Sequence, residues 1–446
     1  MRQYGSAAEA VLRLGVVLLL AVGVGACEQR DPRLNVLLVS LDTTRADRLG
    51  CYGYEKDTSP HIDALAEDGI LFTNAVAPAA LTNVTHASLF TGRNPFNHGV
   101  RFLLDARMSV LADDQLTLAE VLRAEGWQTG AVVSAAAASS NFGLNQGFDL
   151  FDESFVEGDG HQRPGNSTLA VASEWLESAS EPFLLWTHFF DPHDPKILPP
   201  LEICDRFKPE RVDNVLLNRI ALYDAEVYFM DQMIGQLLER LDGLGLRERT
   251  IVVVVADHGE SHGEHDWWGH GVIYQQQIRV PLIIRLPGGP SGLRVDQLVR
   301  TIDVAPTLLS WLDVDPLRLP HVDGVDLSQV VSGNPASAPT SAYSEAVNMQ
   351  VYSLHGKKWL KTDKQYALTT DRWKFIYHQL RPAESELFDL LTDPDEEINL
   401  HGTGLPIEEE LARELRRLDP MVEEISGLVQ PDDRVIKALE SLGYVN

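Results

Sequence analysis

Three stretches of the chain are apolar almost without interruption, and each stops on polar residues. Residues 35–41 (NVLLVSL) end at Asp42, residues 183–190 (FLLWTHFF) at Asp191 and His193, and residues 251–256 (IVVVVA) at Asp257 and His258. Unbroken aliphatic runs of this length predict strands buried on both faces of a parallel sheet. Residues 129–134 (TGAVVS) and 280–286 (VPLIIRL) predict two further strands. Helical patterns lie between them. Residues 116–124 are followed by Gly126 as a stop, and residues 216–241 repeat apolar positions at helical spacing before Asp242-Gly243. Strands alternating with helices predict an α/β fold with a doubly wound, mostly parallel sheet, whose ligands bind beyond the carboxyl ends of the strands. Asp42, Asp191, His193, Asp257 and His258 all fall at such ends.

The pattern changes near residue 341. Short alternating segments at 341–346, 365–379 and 386–390 predict a small antiparallel sheet with a packed helix. Residues 331–340, rich in Pro and Ser, read as the linker. Residues 406–418 space Ile and Leu among Glu and Arg, an amphipathic surface helix. The resulting division is a large domain at 34–330, a smaller α+β subdomain at 341–402 and a helical tail at 404–446.

The first 27 residues read as an address rather than as fold. Arg2 and Arg13 flank an apolar run at 14–26 that is too short to span a bilayer. Val24-Gly25-Ala26-Cys27 resembles a bacterial lipobox, with Cys27 as the lipidated mature N-terminus; ordinary cleavage after Ala26 is the plainer alternative. Both readings export the chain to the periplasm or outer cell envelope, with membrane contact only through an N-terminal lipid. A formal net charge of −28 disfavours nucleic acid and anionic lipid surfaces as partners. An anionic substrate then needs a metal or local cations to reverse the field. Cys51 and Cys204 either pair or remain free thiols, and oligomeric state leaves no mark in the sequence.

The candidate chemistry gathers around Asp257-His258-Gly259-Glu260. A carboxylate and an imidazole leaving a buried strand, with glycine to turn the chain, can address one ion; a helix-capping Asp beside a solvated His is the competing reading. Asp42 alone is equally an N-cap. With the Thr82 hydroxyl, in what reads as a loop, the set becomes four potential donors to one divalent cation.

Residues 81–93 (LTNVTHASLFTGR) resemble the nucleophile motif of the sulfatase family, C/S-x-P-x-R followed by A-S-L-x-T-G-R. The tail Ala87–Arg93 matches, while Thr82 stands at the modifiable Cys or Ser, Val84 at the Pro and His86 at the Arg. The resemblance extends through residues 35–53, the 59–69 segment, 223–234, 257–271 (DHGESHGEHDWWGHG), Arg279–Pro281, 300–309, 323–325 and 386–400. It implies the alkaline phosphatase superfamily and its fold. It further implies Asp42, Asp257 and His258 as metal ligands, with Thr82 as nucleophile and fourth ligand. His193 and His270 correspond to groups that contact the transferred oxyanion or the leaving oxygen, and His86 follows relatives that keep Thr at the nucleophile position. Arg45 either reaches the anion or braces Asp42, and His188, His262 and His265 take structural roles. Thr43 replaces a second Asp of the family. Two carboxylates and one imidazole favour one Zn or Mn ion over Ca, which prefers oxygen donors.

A threonine cannot become the formylglycine aldehyde of true sulfatases, so residue chemistry favours phosphate or phosphonate esters while the resemblance favours sulfate esters. The shared expectation is a metal-dependent hydrolase of an anionic ester. A phosphoalcohol transferase and a non-catalytic binding lipoprotein are the rival readings. Trp267, Trp268 and Trp359 are either substrate contacts or packing.

Overall fold

The 35–41 run forms the central strand β1 (Asn35–Leu41), and all seven of its residues are buried. In the computed structural model, residues 33–103, 109–155, 162–193, 197–209, 214–347, 350–354, 357–361, 363–419 and 422 are described. The segment expected to be a leader, residues 1–27 with Cys27, lies outside them. Beside β1 stand β2 (Ile70–Val76), β3 (Gln128–Val133), β4 (Leu150–Asp152), β5 (Phe183–Phe189) and β6 (Thr250–Ala256). A short ribbon pairs β7 (Ser261–His262) with β8 (Trp268–Gly269). β9 (Arg279–Arg285), β10 (Leu293–Val295) and β11 (Val299–Arg300) complete the large sheet. Its order is β10-β2-β9-β6-β1-β5-β3-β4, with β11 also on β2. β9 alone runs antiparallel to its neighbours, so the sheet is mostly parallel, as expected.

Register explains why chemistry collects at one edge. Leu41 pairs with both Phe189 and Ala256, so the three central strands end level. The ladder continues one residue further, through Asp42 N–H to Phe189 O at 2.9 Å and Asp257 N–H to Leu41 O at 3.3 Å.

The helices include α1 (Pro60–Glu67), α2 (Thr82–Thr91), α3 (Leu118–Ala124), α4 (Gly165–Ser178), α5 (Val215–Gly243) and α6 (Val304–Trp311). α3 starts on a capping box formed by Thr117 and Glu120, and Gly126 beyond its end takes φ 93°. Two elements differ from the sequence expectation. Thr82 is not in a loop: it is the first residue of α2, whose ten residues are all buried. A helix covered on every side has no amphipathic stripe to betray it. β2 was also absent from the expected strands, because Thr73 and Asn74 interrupt its apolar run. The register shift between Phe72 and Ala75 accommodates them.

The C-terminal sheet is antiparallel, as expected, in the order β12 (Ala342–Ala346), β15 (Gln365–Thr369), β16 (Trp373–His378) and β17 (Glu386–Asp389). An unanticipated hairpin, β13 (Gln350–Leu354) and β14 (Lys357–Lys361), sits between its first two strands in sequence. Helix α7 (Pro406–Leu418) buries Leu411 and Leu415 against Tyr366, Leu368 and Phe375 and shares one core with this sheet, while residues 423–446 of the expected tail lie outside the described residues. Cys51 and Cys204 are free thiols.

A buried ion cluster joins the two parts. The Arg101 guanidinium contacts both carboxylate oxygens of Glu345, one at 2.9 Å from Nε, and Asp419 Oδ2 at 2.7 Å. The Arg101, Glu345 and Asp419 side chains are each 1% exposed. Replacing Arg101 by Met strands two buried carboxylates, so unfolding should be about 3–5 kcal/mol easier in a denaturant titration. An unchanged midpoint would show the cluster contributes nothing to stability.

Candidate active site

The turn after β1 is strained. Thr43, a β-branched residue, sits at φ 48°. Its N–H donates to Asp257 Oδ1 at 3.2 Å, and its carbonyl accepts from the Tyr223 hydroxyl at 2.8 Å. Tyr223 in turn accepts from Arg45 N–H at 3.0 Å. The strained turn thus locks Asp42 and Asp257 side by side.

Each carboxylate has one oxygen engaged and one without a partner. Asp257 Oδ1 also accepts from His258 N–H at 2.6 Å, and Asp42 Oδ2 accepts from the Thr82 hydroxyl at 3.2 Å. Asp42 Oδ1 and Asp257 Oδ2 are buried with no hydrogen-bond partner. The His258 ring donates from Nδ1 to Gly259 O at 3.0 Å, which leaves Nε2 as a lone pair, 3.5 Å from Thr82 Oγ1. One donor atom from each of Asp42, Asp257 and His258 lies within 4.8 Å of the other two. Burial, then repulsion from Asp42, pushes the Asp257 carboxyl up to about 8, and burial likewise raises Asp42. Two adjacent buried carboxylates with free oxygens, beside an imidazole lone pair, fit a divalent cation: the charge absent from the pair is the charge that would hold it ionised.

Thr82 lies at the start of α2, whose cap residue Leu81 makes no side-chain cap bond. As the first residue of α2, Thr82 stands at the positive end of the helix dipole, a setting that suits an anion. His86, one turn later, donates from Nδ1 to Thr82 O at 2.7 Å. Its Nε2 lies 2.9 Å from Ser40 Oγ, which accepts from Trp186 Nε1 at 2.8 Å. His86 is thus fixed beneath Thr82 rather than open to a ligand.

His193 and His270 face each other, Nε2 to Nε2 at 3.1 Å. His270 donates from Nδ1 to Ala80 O at 2.9 Å, so its Nε2 accepts and His193 Nε2 carries the hydrogen. His193 stacks on Phe190 with ring centroids 4.3 Å apart, and the His270 ring is 4.5 Å from that of His258. Burial holds His86 and His258 down at about 4 and His270 at about 3, and lowers His193 well below the usual histidine range.

Arg45 was expected either to reach the anion or to brace Asp42, and its guanidinium is engaged by carboxylates of the chain itself. Its guanidinium clasps Asp47 at 2.8 and 2.7 Å and Glu264 at 2.8 Å, and donates to Glu260 O at 3.2 Å. It braces the segment after His258. His262 packs edge-on to Tyr223 and His265 stacks on Tyr274. Trp267 is buried and donates to His270 O at 3.2 Å, whereas Trp268 carries the Arg219 guanidinium 5.1 Å from its ring. The Trp359 side chain lies outside the described residues. The group that sequence reasoning underrated is His188, whose Nε2 is 3.2 Å from Asp42 Oδ2. Its only signal was a histidine inside an apolar strand, one residue before the strand ends.

Comparison with known proteins shows what the whole chain resembles. The sulfatase family profile matches residues 34–314, and that of the N-sulphoglucosamine sulphohydrolase C-terminal region matches residues 263–420. The chain is 29% identical to an ulvan-active sulfatase of Formosa agariphila over 93% of its own length and 86% of that protein's. It is 25% identical to human arylsulfatase A over 92% of each. Among solved structures, one in complex with its substrate D-glucosamine-2-N,6-O-disulfate has a TM-score of 0.75 at 21% identity, covering 90% of this chain and all of that one. The phosphonate monoester hydrolase of Agrobacterium radiobacter has a TM-score of 0.70 at 21% identity, covering 87% of this chain and 96% of that one.

Proposed function

The chain belongs to the sulfatase family of ester hydrolases, and from that premise we propose that it cleaves sulfuric esters with Thr82 as nucleophile and one divalent ion as cofactor. The observation that carries the reading is the Thr82 hydroxyl held 3.2 Å from Asp42 Oδ2, next to two buried carboxylate oxygens without partners. Asp42, Asp257, His258 and Thr82 would hold the ion, with Zn or Mn favoured by the nitrogen donor. When bound, such an ion supplies Lewis acidity and lowers the pKa of a neighbouring hydroxyl.

The remaining work falls to the chain's own groups. The Thr82 hydroxyl points its hydrogen at Asp42 Oδ2, the route by which its proton leaves as Oγ1 attacks sulfur. The uncapped start of α2 stabilises the anionic ester there. As the bond from sulfur to the leaving oxygen breaks, His193, held as the imidazolium by the anionic ester bound beside it, passes its Nε2 proton to that oxygen and is left neutral, while the His270 lone pair keeps the ring aimed. Water then attacks sulfur in the ester on Thr82 and gives a proton to His193; the bond from sulfur to Oγ1 breaks, Oγ1 takes back the proton held on Asp42, and sulfate leaves.

The relatives' names support a sulfated carbohydrate as substrate. A second reading, phosphonate or phosphate diester hydrolysis, is favoured by Thr82 itself: without an aldehyde hydrate, release needs a second attack at the central atom, a demand phosphorus meets more readily. A screen of aryl and sugar sulfates, phosphate mono- and diesters and phosphonate monoesters, with added Zn, Mn or Ca, tests both. Turnover of sulfates that stops with a chelator is expected. Turnover of phosphorus esters alone transfers the assignment to the second reading, and no turnover of any class with metal-loaded protein contradicts both.

A further inference from the structure

The Asp42 carboxylate is held by a residue that takes no part in the steps above. His188, the penultimate residue of β5, is fully buried. Its Nδ1 accepts the Ser134 backbone N–H at 3.4 Å. An amide can only donate, so Nδ1 carries the lone pair and Nε2 carries the hydrogen. Ser134 holds the residue a second time, its hydroxyl donating to His188 O at 2.5 Å. Nε2–H therefore donates to Asp42 Oδ2 at 3.2 Å, the same oxygen that accepts from Thr82. Oδ2 is doubly engaged, and Oδ1 is left without a partner.

Proximity suggests another role. His86, His188 and Asp257 also bring one donor atom each within 4.8 Å of one another, as a second cation site would require. The hydrogen-bond directions argue against it. His86 spends its Nδ1 hydrogen on Thr82 O, while its Nε2 accepts from Ser40, whose oxygen is already taken by Trp186. His188 presents a hydrogen, not a lone pair. Neither ring has a nitrogen to give a metal.

We propose that His188 is a positioning residue: its Nε2–H fixes the orientation of the Asp42 carboxylate so that Oδ1 is the oxygen available to the divalent ion. This rests on the metal reading proposed above. Donors behind a ligating carboxylate commonly change metal affinity about 10–100-fold. A purely structural role would alter folding of the metal-free protein without altering affinity in this pattern.

The test is calorimetric titration of the metal-stripped full chain with Zn or Mn alone, beside thermal melts of the metal-free proteins. His188→Phe keeps a ring and removes the donor, and its Kd should rise about 10–100-fold. His188→Gln can return an N–H near the Nε2 position, and should recover affinity to within about threefold of the parent. Should His188→Phe not fold, His188→Asn, whose amide reaches only the Nδ1 position, carries the same expectation of weakened binding. Parent-like affinity in the Phe or Asn variant overturns the proposal. So does loss of binding in His188→Gln as complete as in Asp257→Ala, which would make His188 a direct ligand. Absence of binding by the parent chain contradicts the metal reading itself, a result distinguishable from both.

Discussion

Thr82→Ala yields a folded protein whose turnover is lower by about four orders of magnitude or more, the scale set by losing a covalent nucleophile. The fold should tolerate the change. Thr82 is buried in α2, but the substitution removes one hydroxyl and one methyl and puts the better helix former in place, so a stability change of about 1 kcal/mol is expected. Thr82→Ser keeps an alcohol beside Asp42 Oδ2 and should retain measurable activity. Steady-state kinetics on the three proteins, with thermal melts as the control for folding, decide the matter. Parent-like turnover in Thr82→Ala means that water attacks the ester directly.

The second large effect concerns Asp257. Asp257→Ala removes a proposed ligand with its free oxygen Oδ2, and should lose bound metal by elemental analysis together with nearly all activity. Metal content at the parental level would overturn the ligand set. The same residue gives a pH signature. Its folded carboxyl is pushed up to about 8 by burial and by Asp42, above the ordinary carboxyl range. The metal-free fold is thus favoured while that carboxyl is protonated, and loses that stability as pH rises from the ordinary carboxyl range, about 4, to about 8. Divalent ions need the deprotonated carboxylates, so affinity should climb with pH over the same interval and the metal-loaded protein should not show that loss. Melts of the stripped and loaded protein from mildly acid to mildly alkaline pH read both trends.

What the sequence disclosed follows from what each element buries. β1, β5 and β6 are covered on both faces, so their apolar runs were plain and their ends placed Asp42, Asp257 and His258 correctly at one edge. The direction of β9 was not legible, since a buried antiparallel strand and a buried parallel one share the same pattern. α2 was hidden for the opposite reason to an amphipathic helix: with no polar face, the Thr82 turn looked like a loop. β2 was hidden by two polar residues at a bulge. Arg45 was ambiguous because one of its partners, Glu264, is 219 positions away, and only the folded chain shows the pair. His188 was undervalued because a histidine in a strand buried on both faces gives no sign of which face it serves.

Mass spectrometry of the enzyme, quenched with acid during turnover of a slow substrate, tests the central claim most directly. The account predicts that the peptide containing Thr82 carries the transferred sulfuryl or phosphoryl group, and that Thr82→Ala carries none. An unmodified Thr82 peptide in enzyme quenched while turning over, with the chemistry of the second step slowed enough for any ester to accumulate, would contradict it.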